Sequence, residues 1–467
     1  MDATTRRLLE GPIAPTLLAL ALPNVVMLLA QVAVNVLEAY FVGWLGTDAL
    51  AGVSVTFPLV MLMQTMSAGG MGGGVASAVA RALGAGRREE ADALVAHAIV
   101  IALALAAAFT AALLAGGRAL YAAMGAEGGT LEAALAYSHV IFAGAAAVWL
   151  FNTLAAVIRG TGNMRLPAAV VLGGAAGLAA LSPALIFGWG PLPPLGVRGA
   201  ALAVVIYYAA GTFVFLGYLL SGRSLVRLSP AAVRFRRARF AAILRVGAPS
   251  LVNNVQTNLT VVLLTALVGP FGSVALAGYG IGVRLEYLQI PIVFGFGSAL
   301  VTMVGTNVGA GRRPRAMRVA WTGALMAAAV TEAIGLGAAL APRAWLGLFS
   351  VDAGVLAAGT TYLRTVGPVY GFFGLGLALY FASQGAGRLG WPLVAGALRL
   401  TVAGGGGWLA MHWGADLAGL FRVMALALVV FGSTLAAAIY LGAWEAGGVD
   451  LRRVFGARME SDHVHDA

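Results

Sequence analysis

The chain has 467 residues, of which 60% are hydrophobic and 10% charged, with a mean hydropathy of +0.91 and a net charge of +11. Soluble globular domains carry about 25% charged residues, so this composition excludes a water-soluble protein. With no cysteine and no lysine, disulfide and thiolate chemistry are excluded and every basic side chain is an arginine, which we read as a coding bias.

Apolar runs long enough to cross a bilayer, about 20 residues each, recur along the whole chain. They are continuous, unlike the alternating ten-residue strands of a membrane β-barrel. In chain order, twelve helical spans are predicted at 13–40, 49–79, 92–115, 132–158, 166–188 and 199–221, then 241–267, 274–306, 317–341, 354–383, 391–411 and 419–443. The first lacks the short apolar region and small-residue cleavage site of a signal peptide, so it is expected to be retained.

Arginine positions set the expected orientation. Of the 29 basic residues, 22 fall in segments on the side holding the N-terminus, and the opposite loops hold Arg118, Arg198 and Arg343. This bias places both termini in the cytoplasm of a multi-pass protein of a bacterial inner membrane. Clustering in short loops fits topology better than nucleic-acid binding, and no nucleic-acid partner is expected. The most polar internal stretch, 222–240, reads as a basic cytoplasmic linker at anionic headgroups. It separates an N-terminal six-helix lobe (1–221) from a C-terminal one (241–443), followed by a cytoplasmic tail (444–467).

The two halves resemble each other. "VGWLGTDALAG" at 42–52 returns as "VGPFGSVALAG" at 268–278, "LGAGRR" at 83–88 as "VGAGRR" at 308–313, and "RGTGNMRLP" at 159–167 as "QGAGRLGWP" at 384–392. Pro23 pairs with Pro249, and all four matches keep one nearly constant separation along the chain. An even number of helices per unit makes the repeats parallel, with a cavity expected between the lobes. The expected fold is therefore an all-α polytopic membrane protein, twelve transmembrane helices in two six-helix lobes. The glycine-rich "GAGRR" loops read as short turns with external arginines; no Gly-Lys-Ser/Thr follows to make a phosphate loop.

Polar side chains inside spans are the functional candidates, because a charged group at the bilayer centre costs about 3 kcal/mol by insertion scales. Glu38 leads. A carboxyl group out of water escapes that cost by taking a proton, so it can bind and release one as its surroundings alternate between wet and dry. The plain alternative is a carboxylate at the helix end, facing outer headgroups. Asn24, Gln31, Asn35 and Glu38 fall at spacings that line roughly one face of the first span. Such a face lines a cavity or bonds a neighbouring helix. The seventh span carries the carboxamides Asn253, Asn254, Gln256 and Asn258, of which Asn254 and Asn258 share a face.

Arg284 and Glu286 in the eighth span are two apart and cannot stack on one face, so each is expected to pair with another helix. Glu286 is a second titratable candidate. Gln64 and Gln289 hold matching places in the two halves; Asn152 and Tyr370 are weaker lining candidates. His97, His139 and His412 share no ligand spacing, so no metal site is expected. Trp44, Trp149, Trp345 and Trp444 fall near span ends, where anchoring at the membrane interface accounts for them.

Taken in order and duplicated, Pro23, "NVLEAYFVGWLG…ALAG", "LGAGR" and "RGTGN…P" resemble the multidrug and toxic compound extrusion transporters over residues 12–443. The resemblance implies a two-lobe exporter of amphipathic, often cationic organic compounds, driven by inward proton or sodium flux and monomeric in the lipid. It implies that the acid five positions before the helix-one glycine, here Glu38 before Gly43, is a coupling residue. The sodium-coupled, NorM-like branch places further acids in the seventh and tenth helices; here Val255 and Gln256 stand in the seventh, and no carboxylate lies between Tyr370 and Gln384. That pattern resembles the DNA-damage-inducible (DinF-like) branch and favours protons, with sodium as the alternative. A lipid-linked oligosaccharide flippase, which would want a cationic cavity, is the competing reading, kept open by Arg284 and Arg399. An enzyme is not expected, because no catalytic dyad is apparent, and no cofactor beyond the coupling ion is implied.

Overall fold

The computed structural model describes residues 2–189, 193–228 and 235–444. Part of the predicted linker, and the predicted tail beyond Trp444, lie outside the described residues. In lipid, backbone groups have no water to bond, so a spanning segment must satisfy them along its own axis. Among the described residues the chain is accordingly helical, with no strand.

The first helices are α1 (Ala3–Glu10), α2 (Ile13–Gly43), α3 (Thr47–Thr65), α4 (Gly72–Gly84), α5 (Arg88–Ala123), α6 (Gly128–Ala143), α7 (Ala145–Gly160), α8 (Arg165–Phe187) and α9 (Val197–Leu220). There follow α10 (Arg237–Val268), α11 (Ser273–Gly309), α12 (Arg313–Leu340), α13 (Pro342–Leu346), α14 (Ala353–Val366), α15 (Tyr370–Ala386), α16 (Gly390–Leu400), α17 (Gly407–His412) and α18 (Leu417–Tyr440). A π-helical segment, Met66–Met71, joins α3 to α4, and another, Thr401–Gly406, joins α16 to α17. Among the described residues, eleven helices, continuous or joined by such segments or by the 3-10 turn Gly367–Val369 between α14 and α15, are long and apolar enough to cross a membrane. The pair α6–α7, bent by 48°, makes a twelfth if counted as one span.

Helices occupy every predicted span and mostly begin before its predicted start, but four stop short of the predicted end, α18 by three residues at Tyr440. The run predicted at 92–115 becomes Arg88–Ala123, because Glu89 and Glu90 suit the positive end of a helix and extend its first turn. The break between α6 and α7 interrupts a span predicted as continuous. It falls at Gly144, where a Cβ would meet Val205 of α9 at 2.5 Å, so only a glycine allows α9 so close. Trp149 corrects another expectation: it is fully buried rather than interfacial, and packs on Phe109 at 5.9 Å.

The chain forms two compact units, and their boundaries cut through α10 and α11. The first unit comprises Met1–Leu251 with Gly305–Arg312. Within it α2 packs on α8, α8 on α9, and α3 on α6. The short α1 buries Thr5, Leu8 and Leu9. Its last carbonyls, which a helix leaves without internal partners, accept from Asn307 Nδ2 (to Leu8 O, 3.1 Å) and Arg312 Nη1 (to Leu9 O, 3.0 Å). The ends of the linker are tied down as well. The Arg227 amide donates to Asp92 Oδ1 at 2.7 Å, and the Arg236 amide to His97 Nε2 at 3.0 Å.

The two "GAGRR" turns are built alike. Gly86 (φ +73) donates to Leu83 O and Arg87 to Ala82 O; Gly311 (φ +74) donates to Val308 O and Arg312 to Asn307 O. This is the Schellman stop, whose left-handed position favours glycine, and the arginines that follow are exposed. The helices ending there also touch reciprocally: Gly84 lies against the Thr306 carbonyl, and Gly309 against the Arg81 carbonyl.

The second unit comprises Val252–Val304 with Arg313–Ala467. Here α12 packs on α15, and α15 and α16 pack on α18. Its core is aromatic: the buried Tyr279, Tyr362, Tyr370, Phe373 and Phe421 cluster with Leu363, Met424 and Leu428.

Candidate functional site

In the first unit, α2 carries four of the predicted residues. Glu38 is half-buried, and Tyr137 of α6 donates its hydroxyl to Glu38 Oε1 at 3.2 Å. Among the described residues Glu38 has no ion-pair partner. Tyr208 of α9 lies within electrostatic reach of Glu38. Gln31, two helical turns earlier, donates to the Tyr208 hydroxyl at 3.4 Å. Asn35 lies half-buried between them in sequence. Asn24 is fully buried and turns back on its own helix, donating to Leu20 O at 3.1 Å and leaving its own carbonyl oxygen without a partner among the described residues. Asn152 of α7 donates to Ser67 Oγ at 2.8 Å, at the π-segment after α3, and Gln64 is half-buried one turn before Ser67.

Pro23 sits inside α2, one residue before Asn24. Proline removes an N–H from the helix ladder and clashes with the preceding turn. The same stretch carries the buried Asn24.

In the second unit the predicted acid has a cation. Glu286 of α11 faces Arg399 Nη2 of α16 at 3.6 Å, and Tyr362 of α14 donates to the other carboxylate oxygen at 3.4 Å. Arg399 is 8% exposed, and its guanidinium lies over the rings of Phe373 (5.8 Å) and Phe431 (5.5 Å). A small cavity of about 30 Å³, large enough to hold a water molecule, is lined by Thr260, Leu264, Tyr279, Glu286, Tyr362 and Arg399 among others. Removing one partner of such a buried pair costs about 3–5 kcal/mol, because the other charge is left uncompensated. Arg284 does not join it: it is exposed, over the Phe349 ring at 5.4 Å.

Gln289 is fully buried, with Nε2 on Leu285 O at 3.3 Å and its oxygen without a partner among the described residues. Tyr370 is fully buried in the aromatic core. Asn258 is exposed and folds its amide onto the Asn254 carbonyl at 2.8 Å along α10.

The predicted carboxylates are thus bonded by side chains that the sequence does not single out as candidates, Tyr137 and Tyr362. A signal was present. Tyr362 stands at the repeat counterpart of Tyr137, and each tyrosine donates to the carboxylate of its own unit. Leu264, the repeat counterpart of Glu38, lines the cavity beside Glu286. The two sites therefore share a tyrosine and differ in which helix supplies the acid. Among the described residues no group of histidine and acidic side chains could hold a metal ion.

The MatE family model matches residues 23–182 and 249–404. An FAD transporter of Shewanella oneidensis is 28% identical over 378 residues, covering 80% of this chain and 82% of that protein. A probable multidrug resistance protein NorM of Thermotoga maritima is 26% identical over 445 residues, covering 93% of each. Among solved structures, a MOP superfamily transporter from Pyrococcus furiosus superposes with a TM-score of 0.84 at 23% identity, covering 95% of this chain and 99% of that one. A MATE transporter in its bent conformation superposes with a TM-score of 0.83 at 24% identity, covering 93% and 96%. At these identities the structural likeness speaks to the fold.

Proposed function

The chain belongs to the MatE family, and on that premise we propose that it is a secondary active exporter of amphipathic, often cationic organic compounds, driven by protons entering the cell. It is a multi-pass membrane transporter and not an enzyme. One observation carries the proton reading: Glu38, in a membrane span, has a neutral tyrosine hydroxyl for a partner and no cation among the described residues. A carboxyl group so placed can change charge without stranding an opposite charge beside it.

In the proposed cycle the outward-open protein takes a proton at Glu38 as cargo leaves. The inward-open protein returns the proton to the cytoplasm as new cargo binds. Coupling follows because proton and cargo favour different states. Gln31 and Asn35 beside Glu38, and Asn254 and Asn258 on α10, are neutral donors and acceptors suited to orienting cargo or water. The uncharged seventh-helix position at Val255 and Gln256 supports a DinF-like, proton-coupled assignment over a sodium-coupled one.

The proposed architecture is two parallel six-helix repeats with both termini in the cytoplasm. Duplicated packing supports it. Gly160 presses on Ala76 and Val79, and Gly385 presses on their repeat counterparts, Val301 and Val304. A second reading concerns the cargo: the Shewanella relative's description as an FAD transporter makes a metabolite an alternative to a drug.

The test is transport in proteoliposomes under separately imposed proton and sodium gradients, with a cationic dye and FAD as cargoes. Proton-driven dye efflux that disappears in Glu38→Gln is the expected result. Movement that responds only to sodium refutes proton coupling, and undiminished proton-driven efflux in Glu38→Gln removes Glu38 from the role.

A further inference from the structure

A carboxylate inside a membrane protein, beside tyrosine and threonine oxygens and a space the size of one water molecule, has the makings of a cation site. Oxygen ligands suit alkali and alkaline-earth cations. The second unit contains such a set: Glu286, the Tyr362 and Tyr279 hydroxyls, and Thr260, around one small cavity. What it also contains is Arg399, whose guanidinium lies 3.6 Å from Glu286 Oε1 and lines the same cavity.

We infer that Arg399 is a tethered counter-ion: a positioning residue whose guanidinium occupies the place a free cation would take at Glu286 and so withholds this site from ion exchange. The geometry supports this in three ways. Arg399 is held by two aromatic rings, Phe373 and Phe431, which stabilise a cation over their faces. Its contact with Glu286 is longer than a direct charge-assisted hydrogen bond, 2.7–2.9 Å, and the cavity beside it has room for one bridging water. The remaining elements around the cavity bring no second acid: α10 contributes Thr260, Val261 and Leu264, and α18 contributes Met424, Ala427 and Leu428. One carboxylate and one guanidinium therefore balance, and a mobile cation entering the site would meet a fixed positive charge.

Glu38 has no such tether, so the inference explains why two buried acids in one chain need not both couple. It goes beyond the exporter reading by assigning the second acid a fixed role, and its test does not depend on that reading. Melting temperature in detergent is measured for the native protein, Arg399→Ala, and Arg399→Ala with Glu286→Gln, in sodium chloride and in choline chloride at matched ionic strength. The native protein is expected to melt at the same temperature in both salts. Arg399→Ala is expected to melt lower in choline and to recover by about 3 °C when sodium rises from about 1 to about 100 mM, as mass action on an opened site requires. Millimolar guanidinium should rescue it likewise, and the double variant should melt higher than Arg399→Ala in choline and ignore sodium.

Sodium-dependent melting of the native protein would overturn the inference, since the site would then already take a mobile cation. So would an Arg399→Ala protein that neither sodium nor guanidinium stabilises, or a double variant no more stable than the single one. Failure of proton-driven transport at Glu38 would leave all three melting results unchanged, which separates the two readings.

Discussion

In the first unit Gly52 of α3 is closed in by Thr130, Ala133 and Ala134 of α6, so that an added Cβ would meet their atoms at 2.7–2.8 Å. In the second, Gly278 of α11 is closed in by Val355, Ala358 and Gly359 of α14, at 2.6–2.8 Å. Each glycine, and each residue against it, falls in the repeat register with its counterpart. The polar sites do not correspond in this way. Glu38 answers to Leu264, and the second unit's acid, Glu286, answers to an apolar position, Val60 in the register of Gly52 and Gly278 or Met61 in that of Gln64 and Gln289. Packing at a glycine depends on backbone approach and tolerates little change. A carboxylate, by contrast, needs only to reach its tyrosine, and two different helices can bring it there.

The widest test of that contrast substitutes the glycines. Gly52→Val and Gly278→Val each force a branched side chain onto neighbouring backbone, where overpacking typically costs about 1–3 kcal/mol. The expected outcome is a similar loss of folded protein in both, at the upper end of that range, read by thermal melting after solubilisation. A large loss in one and a small loss in the other would mean that the duplicated contact is not equally important to both units.

Moving the second unit's acid sharpens the other half of the comparison. Leu264→Glu alone places two carboxylates around one guanidinium, and burying the extra charge should cost about 2–3 kcal/mol. Combined with Glu286→Leu, the same substitution restores one acid per arginine, and the double variant should melt closer to the native protein than Leu264→Glu does. If it does not, the cavity cannot accept its acid from α10, and the correspondence between Leu264 and Glu38 is one of sequence only.

The tyrosines should separate the units more gently. Hydrogen bonds to charged groups contribute about 1.5–3 kcal/mol, and those at 3.2 and 3.4 Å belong to the weaker end. Tyr137→Phe removes the hydroxyl that bonds Glu38 and should slow proton-driven efflux about tenfold. Tyr362→Phe leaves Glu286 its arginine and should change efflux several-fold less. Equal effects would argue that both carboxylates serve transport.

Much of the helical layout was legible in the sequence because lipid imposes it: long uncharged runs have few alternatives to helix. The register of the repeat was legible too, since Pro23, Gly52, Gly86 and their partners recur at nearly constant spacing. Less visible were features set by contact between distant segments. The Gly144 break answers to Val205, and the buried Trp149 packs on Phe109. The carboxylates could be picked out as costly charges in apolar runs, but their partners could not. A tyrosine in a membrane span is unremarkable by composition, and only the register of the repeat marks Tyr137 and Tyr362 as a pair. Arg399 drew attention as a charge, yet nothing in the spacing tied it to Glu286, which lies far away in the chain on another helix.

The smallest expected effect lies outside the membrane spans, at α1, which has no duplicated partner among the described helices. Asp2 caps this helix: Oδ1 accepts from the amides of Thr4 (2.9 Å) and Thr5 (3.0 Å), and Oδ2 from the Thr5 hydroxyl (2.6 Å). Partial burial works against its charge, but these hydrogen bonds outweigh it and hold the carboxyl below its ordinary 3.8. A depressed value means that the cap stabilises the folded helix above that pH and is lost as the pH falls through the lower, folded value. Replacing an N-cap aspartate by alanine typically costs about 1 kcal/mol. Asp2→Ala should therefore speed amide exchange in α1 at neutral pH, while the native helix should approach the variant's behaviour only under strongly acidic conditions. Exchange in α6, which carries Tyr137, should stay unchanged, since the hydrogen bonds Asp2 accepts all come from α1. Faster exchange in α6 as well would show that the α1 cap also supports the Glu38 site.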